Sequence, residues 1–318
     1  MEKKFFMTAC SDHSNPTLVR GNEILEKFPT QCFLRTRKIE DADIVLYLEH
    51  GYLGLRELPF LIDQVRKFPA QRHFVYSESD WPYPILPGAY ASLSRQYDWA
   101  HSWSYLPSLN APLRSTNKLR PDSKYLFSFL GRINTHPLRR KVRDLNDDPT
   151  PCIDVGEAPQ RIPSFDYTKS YLDLIQESKF VLCPRGFGPS SIRIYEAMSY
   201  GRVPVIISDQ WLPPPEIDWD SCSVMVREKE ITSIPVLLRK LENRANEMGQ
   251  CAWREYSRLF GPDVFFDRLL QSISARYLGC SSGAKGVVKR ALKALDGRAL
   301  WTLLHQTQAR VAAVVKGN

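Results

Sequence analysis

The feature that most constrains the fold is a run of strand, glycine-rich turn, helix and strand between residues 180 and 209. It reads FVLCPRGFGPSSIRIYEAMSYGRVPVIISD. The apolar runs at its two ends are bounded by Pro and Gly, which is typical of buried strands. Ser190 and Ser191 stand where a helix N-cap is expected, and Gly201 stands where that helix is expected to end. Two strands joined by a helix predict a parallel sheet covered by helices.

The turn and the start of this helix carry residue types that suit a phosphate ligand. Gly186 and Gly188 let a ligand approach the backbone, and a helix N-terminus offers free N–H groups at the positive end of the dipole. Arg185 and Arg193 add guanidinium groups that can pair with phosphate oxygens. Glu196, one turn beyond Arg193, can accept hydrogen bonds from ribose hydroxyls. The same residues also fit a plain turn and a surface ion pair, but their combination in one strand–helix–strand unit favours a diphosphate site.

The length of 318 residues suggests two domains. Short apolar runs alternate with helical periodicity in the first third, and the alternation begins again after a stretch rich in Pro and Asn. We predict an α/β domain in 1–110, a linker in 111–123, a second α/β domain in 124–280 and a basic helical tail in 281–318. The predicted strands are 4–9, 32–35, 43–49, 73–77, 125–130, 180–183 and 203–208. The predicted helices are 18–28, 58–68, one opened by His136-Pro137, 167–179, 192–200, 235–247, 250–260 and 262–277.

The glycine-rich unit resembles the donor-binding region of exostosin-type glycosyltransferases. The matching residues are Phe180, Cys183, Pro184, Arg185, Gly186, Ser190, Arg193, Glu196, Ala197, Gly201, Pro204, Val205 and Asp209, followed by 213–215 and Trp219. The stretch 127–132, with Arg139 and Arg140, resembles the strand that opens the family's donor domain. The resemblance covers about residues 120–260.

This resemblance implies a GT-B fold, in which two Rossmann-like domains with parallel sheets face each other across a cleft. It implies an inverting, metal-independent transfer from a nucleotide sugar, with UDP-sugars expected, to a hydroxyl of a glycan or glycolipid. Cell-surface polysaccharide or lipopolysaccharide is the expected product class. The implied donor-binding residues are Gly131, Arg132, Arg185, Gly186, Ser190, Ser191, Arg193 and Glu196, with the arginines at the diphosphate and Glu196 at the ribose.

An inverting transfer needs a base for the acceptor hydroxyl, and loops at the carboxyl ends of the first domain's strands are where we expect it. Asp80 is the favoured candidate because the neighbouring Trp81 can stack on a sugar. Asp12 and His13 after the first strand are further candidates. The pairs Glu49-His50 and Glu78-Asp80 follow two other strands. Most of these residues are expected to be turn or capping residues, since one or two at most can act as the base.

Two Asp-x-Asp patterns, at Asp41-Ala42-Asp43 and Asp218-Trp219-Asp220, are reminiscent of metal-dependent transferases. The first precedes its predicted strand, and the second follows a proline run. We expect neither to bind a metal. The seven cysteines are scattered without metal-ligand or disulfide spacing, which favours a reducing compartment and no cofactor.

Of the net charge of +8, +6 lies after residue 280. A basic amphipathic helix is predicted there, which suits either an anionic membrane surface or packing against the body with a solvated basic face. The folded body carries no spread basic surface with interleaved aromatics, so nucleic-acid binding is not expected. The apolar start at 4–9 predicts a buried strand and not an export signal, and no apolar run is long enough to span a bilayer. A cytoplasmic location, peripheral to the inner face of the membrane, is expected.

Two other functions fit the same patterns. An α-1,3-type fucosyltransferase shares the helix–Gly–Val-Pro-Val pattern of 194–205 and would use GDP-fucose, but the Glu-Lys pair usual in that helix is missing. A nucleotide-sugar-binding protein that kept the fold and lost the base is the non-catalytic alternative.

Overall fold

The computed structural model describes residues 3–10, 15–50, 57–113, 123–145, 151–156, 166–278 and 284–294. Within them the chain forms two separate parallel sheets, one of six strands and one of five. The α/β class with two parallel sheets that the GT-B expectation requires is therefore confirmed.

The strands are β1 (Lys3–Thr8), β2 (Phe33–Arg35), β3 (Ile44–Glu49), β4 (Arg72–Ser77), β5 (Gly88–Tyr90), β6 (His101–Ser102), β7 (Tyr125–Gly131), β8 (Cys152–Asp154), β9 (Ser178–Pro184), β10 (Val203–Ile207) and β11 (Val224–Val226). The described helices are α1 (Pro16–Lys27), α2 (Leu58–Lys67), α3 (Pro137–Arg143), α4 (Tyr167–Gln176), α5 (Arg193–Ser199), α6 (Trp219–Cys222), α7 (Ile234–Leu241), α8 (Ala245–Leu259), α9 (Phe265–Arg276) and α10 (Ala284–Ala294).

The first sheet has the strand order β2-β1-β3-β4-β5-β6, and all its pairs are parallel. Strand β3 is buried along its whole length because helices cover both faces of a parallel sheet. The carboxyl ends of β1, β3 and β4 lie side by side, with Thr8 opposite Tyr47 and Glu49 opposite Ser77. Loops that follow these strands therefore meet at one edge of the sheet.

The second sheet has the order β11-β10-β9-β7-β8 and is also parallel. Strand β9 is central, paired with β10 on one side and with β7 on the other. Gly131 at the end of β7 and Arg185 just after β9 are consequently neighbours. Gly201 lies just after the end of α5 and has a φ of 66°, a backbone conformation that favours glycine.

The helices after the second sheet return to the first one. Phe265 of α9 packs edge-on against Tyr76 of β4, with ring centroids 5.7 Å apart, and Tyr277 lies 6.1 Å from Phe74. Helix α10 packs on α2, with Val287 and Ala291 buried. Helices α9 and α10, which follow the second sheet in the chain, thus pack on the first domain, and this apolar burial stabilises the arrangement of the two sheets.

Most predicted elements are present, with ends shifted by one to three residues. The boundary between the predicted helices 235–247 and 250–260 is wrong, because α7 ends at Leu241 and α8 begins at Ala245. The predicted helix 167–179 is wrong at its end, because α4 stops at Gln176 and β9 begins at Ser178. The short strands β5, β6, β8 and β11 were not predicted. No helix within the described ranges has the length and apolar character needed to cross a bilayer. The six cysteines of those ranges form no disulfide bond.

Candidate functional site

The candidate site is built at the carboxyl ends of β7 and β9. A Cβ added at Gly131 would lie 2.8 Å from Nη2 of Arg193, so the guanidinium of Arg193 packs directly on the end of β7. The absence of a side chain at Gly131 is what allows this approach. The pairing of β7 with β9 therefore brings Arg193 beside the loop that begins at Arg185.

Arg193 is only 7% exposed, yet it lines a cavity between the two domains. Its Nη2 donates to the carbonyl oxygen of Leu130 at 2.8 Å. Its guanidinium carbon lies 5.0 Å from the ring centroid of Phe129 and 5.4 Å from that of Tyr171. These contacts hold the charge in one position within a medium of low dielectric, where it acts strongly on an incoming anion.

Glu196 lines the same cavity as Arg193, as expected for residues three apart on a helix. The hydroxyl of Tyr171 donates a short hydrogen bond to its carboxylate. Burial raises the pKa of Tyr171 well above its ordinary value, against the lowering effect of Arg193, so the phenol stays a hydrogen-bond donor. The carboxylate of Glu196 keeps its other oxygen available for hydroxyl donors.

The cavity has a volume of about 610 Å³. Helix α1 and the connection between the domains form one wall, and helices α4 and α5 form the other. Its lining is rich in tyrosine. The tyrosines are Tyr105, Tyr167, Tyr171, Tyr195, Tyr200 and Tyr256. A space of this size with a few convergent polar groups is typical of a small-molecule site.

Arg185 is 6% exposed and is held on several sides. Its Nη1 donates to Oε1 of Gln210 at 3.2 Å and lies 3.7 Å from the carboxylate of Glu228. Its Nη2 donates to the carbonyl oxygen of Phe187 at 3.4 Å. The guanidinium carbon lies 5.4 Å from the ring centroid of Trp81, which belongs to the first domain. Arg185 therefore spans the gap between the domains.

Arg139 is the site residue that the sequence did not single out as donor-binding. Its Nε donates to the carbonyl oxygen of Arg185 at 3.0 Å, and its Nη1 and Nη2 donate to those of Arg132 and Pro184 at 3.2 and 3.3 Å. Burial, and then the charge of Arg193, lower the pKa of Arg139 to about 10. The sequence feature that could have identified Arg139 is its position among the residues that resemble the family's donor domain, three residues after His136.

The glycine loop is packed against the first domain. A Cβ at Gly188 would lie 2.3 Å from the backbone oxygen of Asp80 and 2.4 Å from Oγ of Ser92. A Cβ at Gly186 would lie 3.1 Å from Nη2 of Arg139. Both positions thus require the small residue for close approach.

The predicted N-cap at Ser190 and Ser191 is wrong. Helix α5 begins at Arg193, and its N-cap residue is Ile192, which makes no capping hydrogen bond with its side chain. Both serines are buried in the loop, and the N–H of Ser190 donates to Oγ of Ser92 at 3.2 Å. Ser92 of the first domain therefore accepts the Ser190 N–H, which the sequence analysis expected to be free for a phosphate ligand.

Arg132 is exposed at the end of β7. In the part of the chain that the structure describes, its guanidinium makes no hydrogen bond, while its backbone oxygen accepts from Arg139. Its role at the diphosphate stays a prediction.

Asp80 lies across from the glycine loop. The residue as a whole is exposed, but partial desolvation raises the pKa of its carboxyl, against a hydrogen bond from the Gly188 backbone and the positive charge of Arg139. Asp12 and His13 lie outside the described residues. His50 is exposed, and its charge also acts on Asp80.

The other two carboxylates of this edge have structural partners. Glu49 accepts from the N–H of Cys10 at 2.5 Å and from Asn15 at 3.2 Å. Glu78 accepts from the hydroxyl of Thr17 at 3.0 Å and from the N–H of Leu106 at 2.7 Å. Both carboxylates thus accept hydrogen bonds that hold the loops and helix α1 at this edge of the sheet.

The Asp-x-Asp patterns also have local partners. Asp43 accepts from the N–H of Lys4 at 2.7 Å, and Asp218 accepts from the hydroxyl of Ser221 at 2.5 Å. Within the described ranges, no group of three or more His, Cys, Asp or Glu is placed to hold a metal ion.

Comparison with known proteins identifies the region around this site. The sequence profile of the Exostosin GT47 domain matches residues 97–241. This part of the chain is similar to the Exostosin GT47 domain. It contains Gly131, Arg139, Arg185, Arg193 and Glu196, whereas Asp80 precedes it. The predicted resemblance to exostosin-type glycosyltransferases is confirmed.

Relatives of the exostosin GT47 domain include an exostosin-1 homolog of Caenorhabditis elegans, 31% identical over 184 residues, which are 51% of this chain and 48% of that protein. A probable beta-1,4-xylosyltransferase, IRX10, of Arabidopsis thaliana is 39% identical over 94 residues, 26% of this chain and 23% of that protein. The chain therefore spans about half or less of the length of these relatives.

Solved structures with a similar arrangement include Anabaena HepE in complex with UDP, with a TM-score of 0.43 and 10% identity, covering 86% of this chain and all of that one. A glycosyltransferase from Rickettsia africae has a TM-score of 0.49 and 9% identity, covering 87% and 99%. An α1,3-fucosyltransferase has a TM-score of 0.41 and 12% identity, covering 92% of each chain.

Proposed function

We propose that the chain is an inverting glycosyltransferase that moves a sugar from a nucleotide-sugar donor, a UDP-sugar, to a hydroxyl of a glycan or glycolipid. The observation that carries this proposal is the cluster of Arg139, Arg185 and Arg193 at the ends of β7 and β9. Burial of Arg139, and then repulsion from Arg193, lower the pKa of Arg139, so positive charge is poorly solvated in this gap. A diphosphate bound among the three guanidinium groups would offset that repulsion.

The same cluster supplies what the reaction needs at the leaving group. When the glycosidic bond to the donor breaks, negative charge grows on the nucleotide diphosphate. Fixed guanidinium groups stabilise that charge without reorganising, because Arg139 and Arg193 are already held by backbone carbonyl oxygens. Metal independence is part of this proposal, with the arginines in the place of a cation.

Glu196 would accept hydrogen bonds from the ribose hydroxyls. Its position beside Arg193, on the wall of the tyrosine-rich cavity, supports this role. The hydrogen bond from Tyr171 fixes the carboxylate and leaves a second oxygen for the ligand.

Asp80 would act as the base that takes the proton of the acceptor hydroxyl. Its raised pKa makes it a stronger base than an ordinary aspartate, and it lies across the gap from the arginine cluster. Trp81, which stacks on Arg185, is an apolar surface next to this carboxylate. An acceptor sugar could therefore be held between Asp80 and the donor.

The donor half of the proposal is tested by calorimetric titration of UDP and GDP into the parent chain and two variants. Glu196→Gln should weaken UDP binding by about tenfold or more, since one good hydrogen bond to a charged group is removed. Glu247→Gln, an exposed carboxylate on α8, is the matched control and should bind as the parent does. Equal UDP affinity in all three proteins would contradict the proposal, and preferential GDP binding would favour the fucosyltransferase alternative.

The catalytic half is tested by turnover of UDP-sugars with glycan acceptors. UDP binding without turnover on any acceptor would favour a non-catalytic binding protein.

We also propose that α10 contacts an anionic membrane surface. Val288 and Leu292 are 40% and 64% exposed, next to exposed Lys285 and Lys289 on the same helix. Apolar side chains flanked by lysines suit the boundary of an anionic bilayer. Sedimentation with anionic vesicles should retain the parent chain and lose a Leu292→Ser, Lys289→Glu variant. Equal retention by anionic and neutral vesicles would refute this contact.

A further inference from the structure

A second cavity, of about 550 Å³, lies away from the candidate donor site. The edge strand β6 and Trp103 of the first domain form one side of it, and Glu216, the end of α8 and one face of α9 form the other. It shares no lining residue with the tyrosine-rich cavity. It therefore forms a separate junction between the first sheet and the helices that return to it.

Positive charge dominates the rim of this cavity. Arg258, Arg268 and Arg276 line it, against the single carboxylate of Glu216. Arg258 is paired with Glu255 and also donates to the carbonyl oxygen of Glu216 at 2.8 Å. Arg268 and Arg276 have no carboxylate partner in the described part of the chain. The cavity thus carries more positive charge than its own lining neutralises.

The two arginines differ in how they are held. Nη1 of Arg268 donates to Gln271 at 2.9 Å and its Nε donates to the carbonyl oxygen of Arg258 at 3.2 Å, which orients the planar group. Arg276 is exposed and makes no hydrogen bond among the described residues, although its charge acts on both His101 and Glu216. One guanidinium is therefore oriented beforehand, and a second is available nearby.

The floor of the cavity is polar and incompletely paired. The hydroxyl of Ser272 donates to Oε1 of Glu216 at 2.6 Å, and its oxygen lies 2.8 Å from Nε2 of His101. Nδ1 of His101, Nε1 of Trp103 and Oε2 of Glu216 are buried without a partner in the described ranges. His101 is 2% exposed and Trp103 is fully buried. Unpaired buried polar groups are rare in folded proteins, and they cluster where ligands bind.

Among the described residues, Ser272 and Glu216 both lie at Nε2 of His101 and no carboxylate contacts Nδ1, so Ser272 does not have the oriented histidine that activates a nucleophile. Burial, followed by the charge of Arg276, lowers the pKa of His101 to about 4. The imidazole is therefore neutral near pH 7 and does not contribute to the positive charge of the rim.

We propose that this second cavity binds a small ligand carrying an oxyanion, a phosphate, sulfate or carboxylate group, between Arg268 and Arg276. Planar guanidinium groups bind such groups through paired hydrogen bonds. A volume of about 550 Å³ also has room for a sugar attached to the anion. Because residues of both β6 and α9 line the cavity, bound ligand contacts both domains at a site that shares no lining residue with the proposed donor site.

The test is calorimetric titration with orthophosphate, sulfate, glucose 6-phosphate and glucose. The variant Arg268→Ala, Arg276→Ala removes the two unpaired cations, and Lys240→Ala, Arg244→Ala removes the same charge from an exposed stretch elsewhere. We expect at least one oxyanion probe to bind the parent and the control alike and the first variant at least tenfold more weakly. Circular dichroism and urea melts verify that the variants are folded.

Each outcome decides the matter. Tighter binding of glucose 6-phosphate than of orthophosphate indicates an oxyanion carried on a sugar, and equal binding indicates the free anion. No binding of any oxyanion probe would overturn the proposal, as would binding that is the same in the parent and in Arg268→Ala, Arg276→Ala. Glutamine at Glu196 should leave the titration unchanged, which separates this cavity from the proposed donor site.

Discussion

Gly188→Ala is the substitution whose effect the structure fixes most closely. The new Cβ would lie 2.3 Å from the backbone oxygen of Asp80, whereas ordinary contact begins at 3.4 Å. The glycine loop and the Asp80 segment must therefore separate by about 1 Å, and overpacking of this kind costs about 1–3 kcal/mol of unfolding free energy. The same movement would increase the distance between Asp80 and the arginine cluster.

A misplacement of about 1 Å between reacting groups lowers turnover by about a hundredfold. We expect Gly188→Ala to reduce the turnover of nucleotide sugar by about that factor while UDP binding falls by much less, because Arg193 and Glu196 lie on α5 beyond the loop. The assay is single-turnover transfer at saturating donor, with the folded fraction measured by urea denaturation.

Gly249→Ala is the matched control, since its Cβ would lie 2.2 Å from the backbone oxygen of Gly201. That overlap is at the far end of α5, away from Asp80. We expect a similar loss of stability and no separate loss of turnover per folded molecule. Parent-like turnover in Gly188→Ala, or equal losses in the two variants at equal folded fraction, would refute the reasoning.

Three further changes have defined outcomes. Asp80→Asn should lower turnover by about 100- to 10,000-fold with UDP affinity kept. The parent's rate should fall as pH drops through the raised pKa of Asp80, and a pH–rate profile with no acidic limb would contradict this role. Arg139→Ala removes charged hydrogen bonds to three carbonyl oxygens, so it should lower the free energy of unfolding by about 1.5–3 kcal/mol in urea melts and weaken UDP binding. Arg140 is exposed, and Arg140→Ala should change neither quantity. His101 binds a proton more readily in the unfolded state, because its pKa is lowered to about 4 in the folded protein. The free energy of unfolding should therefore decrease as pH falls from about 6.5 to about 4. Urea melts at pH 7 and pH 4.5 should show a smaller decrease for His101→Gln than for the parent.

The residues 180–209 show how much a local pattern can predict. Strand β9, the glycine turn, the helix ending at Gly201 and strand β10 all follow from apolar periodicity and from the places where Gly and Pro interrupt it. The predicted cap at Ser190 is wrong because Ser190 belongs to a loop packed on the first domain, where Ser92 accepts its backbone N–H, and helix α5 begins only at Arg193. Contacts with distant parts of the chain thus override the local preference of serine for a helix N-cap.

The short strands β5 and β6 had no detectable sequence pattern for a physical reason. They contain three and two residues, which are too few for the alternation of apolar and polar residues to be recognised. Their strand geometry comes from pairing with β4 and with each other, not from their own composition.

The candidate site likewise combines residues that the sequence predicted with residues that only the tertiary structure brings together. The sequence by itself determined that a strand, a glycine loop and a helix would present Arg185, Arg193 and Glu196 together, because all three lie within one local unit whose periodicity sets their spacing. Only the tertiary structure decided that Arg139 joins them, that Asp80 faces the loop and that His101 meets Arg276 at a second cavity. Those contacts join residues far apart in the chain, and they form because the burial of two sheets and of the returning α9 places their side chains together, which no local pattern encodes.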